Sequence, residues 1–113
     1  ADRTKKLGLN IIKLVADFPN SQLARITGDQ ILRSSLSVGA NYRAACRAKS
    51  DKDFISKMKI VEEEADETVY WLEIMEESQL IEKEVLEDVK REANEILSMV
   101  VASIKTKSQN LNK

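Results

Sequence analysis

Histidine is absent from this 113-residue chain, and that absence removes a great deal of chemistry. Without an imidazole, one chain can build neither a Ser-His nor a Cys-His nucleophile pair. Nor can it supply the Glu-x-x-His pairs with which helical bundles hold two iron ions. The single cysteine, Cys46, has no partner for an internal disulfide and suits a reducing cytosol. We expect it to be a small packed residue. No apolar run approaches the ~18 residues of a membrane-spanning helix. The N-terminus is charged rather than apolar, so no secretory signal is visible. Neither a Gly-rich phosphate loop nor a P-loop lysine occurs. One proline and three glycines leave little to interrupt long helices. These absences predict a cytoplasmic protein that is not an enzyme, holds no cofactor or metal and spans no membrane.

What remains is helix-forming material. Leu, Ile, Val, Ala, Glu and Lys dominate, and one-third of the chain is charged. The length fits one domain, residues 1–113, with a modest core. The net charge of −1 conceals a split. Residues 1–59 carry a net +7, residues 60–104 a net −11, and the last nine residues add three lysines. Opposite halves can attract within a subunit or head-to-tail between subunits.

Periodicity places four helices. The first spans about residues 4–18, with Leu7, Ile11, Leu14, Val15 and Phe18 as its stripe. Gly8 inside it implies close contact with another helix. Pro19-Asn20-Ser21 ends it and caps the next, at about 21–48. Gly28 is a weak point there, where a kink or a later start near Thr27 is conceivable. Ser50 and Asp53 form a capping-box pattern opening a third helix, 51–77. Its seam is Phe54, Met58, Val61, Ala65, Thr68, Leu72 and Met75, stepping by 4 and 3. The fourth helix, 82–106, follows Leu86, Val89, Ala93, Ile96, Val100 and Ile104, and residues 108–113 should fray. Short connections imply an antiparallel, up-down-up-down four-helix bundle.

The second helix is unusual. The nine residues between Arg33 and Arg43 are uncharged and mostly small. No side of that segment reads as a solvated face, so it should be buried all round or covered by a partner. Arg25, Arg33, Arg43 and Arg47, with Lys49 beyond, form a basic strip with Leu36 and Ala40 at its centre. Such a strip suits an oligomer interface, or alternatively the phosphates of RNA or DNA. Arg25, Asp29 and Arg33 have the spacing for helical ion pairs. The pairs Glu64/Glu67 and Glu92/Glu95 have half the spacing of a di-iron site, but without histidine they read as solvated faces. Trp71 suits a core or interface anchor, and Asn41 a packing amide that fixes helix register.

The run Gln30-x-x-Arg33-Ser34-x-x-Ser37-Val38-Gly39-Ala40-Asn41-Tyr42-Arg43, followed by Ala45, resembles the signature of four-helix bundle proteins of the 23S rRNA intervening-sequence type. Lys49-Ser50-x-Lys52-Asp53-Phe54-Ile55 and Glu64-Ala65-x-Glu67-Thr68-x-Tyr70-Trp71-Leu72 resemble the same family. The likeness spans about residues 7–105. It implies an antiparallel bundle assembling into a homopentameric ring, with Ser34, Ser37, Asn41, Glu64, Glu67 and Trp71 as its structural signature. Such reading frames lie in, or are related to, segments inserted in 23S rRNA genes. A related branch is the accessory variability determinant of diversity-generating retroelements, a basic pentameric barrel that binds reverse transcriptase and nucleic acid. One departure stands out: the family usually has Glu where this chain has Ala44, which would leave Arg33 or Arg43 without a partner. The expectation is a non-catalytic, self-associating scaffold or binding module. An RNA- or DNA-binding protein is the alternative, and its partners would be other copies, nucleic acid or a further protein.

Overall fold

A computed structural model describes residues 2–111. It contains α1 (Arg3–Ala16), α2 (Gln22–Cys46), α3 (Asp51–Glu77) and α4 (Lys83–Leu111), and no strand among the described residues. α1 packs on α2 and α4, α2 on α3, and α3 on α4, while the diagonal pairs stay apart. The rod measures 52 × 24 × 20 Å. No helix is long and apolar enough to cross a membrane among the described residues.

The helix starts follow local chemistry. Asp2 caps α1 by accepting from the Thr4 and Lys5 amides, Ser21 caps α2 through the Ala24 amide, and Ser50 caps α3 through the Asp53 amide. The reciprocal half of the expected capping box is replaced, because the Asp53 carboxylate pairs with Lys57 at 2.6 Å. α1 ends two residues before Phe18, and α2 runs unbroken through Gly28. The expected frayed tail is helical through Leu111, and Asn112 and Lys113 lie outside the described residues.

The seams meet in one core. Met58, Val61, Ala65, Thr68, Leu72 and Met75 of α3 are buried, as are Leu7 and Ile11, Ile31 and Val38, and Leu86, Ala93, Ile96 and Val100. Glycine lets α1 and α2 approach closely. A Cβ on Gly8 would lie 3.0 Å from Leu36 Cδ2, and one on Gly28 would lie 3.2 Å from Val15 Cγ1. α1 is the short member at 14 residues. Arg3, at its start, reaches Glu92 and Glu95, and α4 runs about four turns beyond that point.

α2 is not buried all round. Its inner side holds Ile31, Ser34, Ser35, Val38 and Ala45, but Leu36 and Ala40 are exposed. The core does not enclose the segment, and its outward side is apolar rather than charged.

Candidate functional site

Both glutamate pairs turn out to be arginine clamps. Arg33 of α2 bonds Glu64 at 3.0 Å and also Glu67 on α3, with its Nε donating to Gln30 at 3.3 Å. Trp71 Nε1 donates to the same Glu67 carboxylate at 3.0 Å, and the Tyr70 ring meets the Trp71 ring edge-on at 5.1 Å. On the opposite side, Arg3 of α1 bonds Glu92 at 2.6 Å and Glu95 at 3.2 Å on α4. Spacing i, i+3 puts two carboxylates on one face, and a planar guanidinium can bridge them. No cluster of three or more metal-ligating side chains occurs among the described residues.

These contacts set local acidity. The Trp71 indole N–H and then the Arg33 guanidinium hold the Glu67 carboxyl below its ordinary value. Arg3 does the same to Glu92. Both arginines are pushed up in return.

Beside the Arg33 clamp lies a small buried polar contact. Thr68 Oγ1 donates to Ser34 Oγ at 2.9 Å, and Ser34 Oγ donates to the Ile31 carbonyl at 3.3 Å. Of the signature residues, Ser34, Glu64, Glu67 and Trp71 thus gather at one α2–α3 contact. Ser37 and Asn41 do not join it. The Asn41 amide donates to the Ser37 carbonyl of its own helix at 2.9 Å, so that bond fixes no register between helices.

The basic strip separates into parts. Arg33 is tied to two carboxylates. Arg25 reaches back to Asn20 at 3.2 Å, and Asp29 makes no ion pair among the described residues. Arg43, Arg47 and Lys49 are exposed, Arg43 and Arg47 about 27–33 Å along the axis from Arg25 and Lys49 beyond them. Ala44 therefore does not orphan Arg33, while Arg43 forms no ion pair among the described residues and helps to hold the Asp2 carboxyl below its ordinary value. Cys46 is exposed rather than packed. The neighbouring Cys46 thiol, followed by partial burial, pushes the Tyr42 phenol up.

A groove of about 370 Å³ runs between α1 and α2. Gly8, Leu9, Leu36, Gly39 and Ala40 form its apolar surface, and Lys5 and Arg43 stand at its edge. Leu9 is 50% exposed, Leu36 47% and neighbouring Ile12 43%. Leu9 and Ile12 lie off the stripe that buries α1, and that placement was the sequence signal for this surface.

An all-helical chain of four helices packed against one another defines the class. Residues 1–102 match the family model for the 23S rRNA-intervening sequence protein. The chain belongs to that family. A solved structure of a protein of unknown function from the S23 ribosomal protein family of Bacteroides thetaiotaomicron is 36% identical, with a TM-score of 0.85. The match covers 92% of this chain and 96% of that one. No curated protein matches.

Proposed function

We propose that this protein is a non-catalytic, self-associating helical module, a scaffold or binding module of the cytoplasm. The chain forms a single antiparallel bundle, and five copies close into a ring. Ion pairs support the up-down order: Lys90 meets Glu76 near the α3–α4 turn, and Lys107 meets Asp51 at the far ends of the same helices. The ring of five is carried over from the family resemblance.

The groove between α1 and α2 carries the reading of self-association. Two half-exposed leucines there retain apolar area worth about 1 kcal/mol each on full burial. Gly8 and Gly39 remove the side chains that would otherwise cover it. The occupant we assign is a second copy, through the outer faces of α3 and α4. Those faces are rich in Glu and Asp and also expose Tyr70 and Val101. A basic-edged apolar face meeting an acidic one is a head-to-tail contact, the kind that closes rings.

The variant Leu36→Glu tests the surface. Position 36 is half-exposed, so the fold should hold, as circular dichroism would verify. Sedimentation velocity should then show a smaller species than the wild type. An unchanged assembly would place the contact elsewhere.

A further inference from the structure

Folding converts the charge split along the sequence into a charge split along the rod. Residues 2–6, 43–59 and 105–111 carry eleven Lys and Arg against three Asp. Residues 43–59 and 105–111 meet at one end; residues 2–6 lie beside Gly39 of α2, set back from that end, with Arg3 bonded to Glu92 and Glu95. Lys107 pairs with Asp51 at 3.3 Å, Lys5 and Arg43 border one groove, and Lys52 lies with Ser108 and Leu111. The rest of the described chain carries six Lys and Arg against sixteen Asp and Glu. The lysines of the last α4 turns, remote in sequence from the basic half, return to the same pole.

The few acids at this pole are occupied. Asp51 is neutralised by Lys107 and Asp53 by Lys57, and Asp2 caps α1. Arg43, Arg47, Lys49, Lys52 and Lys105 are exposed and form no ion pair among the described residues. They project from α2, the α2–α3 turn, α3 and α4.

We propose that this basic tip binds the phosphodiester backbone of a nucleic acid. Cations spread over several elements fit a chain of phosphates better than one small anion, which needs convergent donors around a point. Arg43 and Arg47 stand one helical turn apart, about 6 Å, and can contact successive phosphates. A lipid surface fits less well. Leu111 is the one exposed large apolar side chain within residues 43–59 and 105–111, the apolar groove beside Arg43 being assigned to another copy, and interfacial binding needs an apolar face to insert. Of the strip Arg25 to Lys49, the members Arg43, Arg47 and Lys49 belong to this tip, whereas Arg33 is paired with Glu64 and Glu67 and Arg25 lies toward the acidic end. Arg47, Lys49, Lys52 and Lys105 lie outside the groove assigned to another copy, so they serve this role in a monomer as in a ring.

Fluorescence anisotropy of the full chain tests the assignment with three probes: a short oligouridylate, an oligothymidylate of equal length, and a DNA duplex. Binding to at least one probe is expected, with the strongest identifying the source of the backbone. For five contacts, affinity should fall with a log–log salt slope of about −3.5 on a single strand and about −4.5 on the duplex. Arg47→Gln/Lys49→Gln/Lys52→Gln should weaken binding at least about tenfold at low salt. Lys13→Gln/Arg25→Gln should leave it unchanged. All five positions are exposed, and matching thermal melts would verify folding. No binding to any probe at low salt would overturn the proposal. So would equal losses in the two variants, or binding to phosphatidylserine vesicles but to none of the three probes.

Discussion

Gln79 occupies the left-handed region at φ 62° without being glycine. It follows the Ser78 cap of α3, and the amides of Leu80 and Gln79 donate to the carbonyls of Met75 and Glu76 at 3.1 Å each. That is a Schellman ending, where glycine normally avoids the Cβ clash. Gln79→Gly should therefore stabilise the protein by about 1 kcal/mol, seen as a higher thermal midpoint. A lower midpoint would show that the Gln79 side chain is itself holding the turn. A turn at 78–81 was legible, but not its handedness, since nothing in Ser78-Gln79-Leu80 announces a positive φ. Cys46 was misread for a related reason. A small apolar residue near the end of a helix lies beyond the reach of the packed seam, so residue type alone does not bury it.

Between elements, the sequence was most legible where period and burial coincide. The α3 seam follows steps of 4 and 3, and six of its seven members are buried, with Phe54 half-buried. The carboxylate pairs were harder to interpret. Spacing placed Glu64 with Glu67, and Glu92 with Glu95, on shared faces, but their arginine partners come from helices 31 and more residues away. Only packing brings those partners within reach. The Arg33 clamp has a pH signature. Glu67 is held below the ordinary 4.5, so its contribution is fully present above that value and lost as pH falls through the lowered one. The pair is partly exposed, so its contribution is small, about 1 kcal/mol or less. Trp71, the only tryptophan, donates to Glu67 and reports the titration directly. In Arg33→Gln the acid midpoint of Trp71 emission should move upward while remaining below 4.5, because the indole bond still lowers it. A midpoint that does not move would mean that Arg33 does not hold this carboxylate.

At the scale of the whole molecule, four helices and an apolar-and-basic second helix could be read directly. The direction of the charge split could not. Counting along the chain gives a basic half and an acidic half, whereas folding gives a basic end and an acidic end. The difference arises because α4 returns its lysines to the α2–α3 turn. The same folding exposes the groove between α1 and α2, which a single chain leaves uncovered and which we assign to another copy. Molar mass by light scattering at micromolar concentration, in low and in high salt, tests that assignment most directly. A closed assembly near five subunits is expected in low salt, held by apolar contact with charge as a secondary contribution, so that high salt weakens but does not abolish it. A monomer under both conditions would contradict self-association and leave the groove to a different partner.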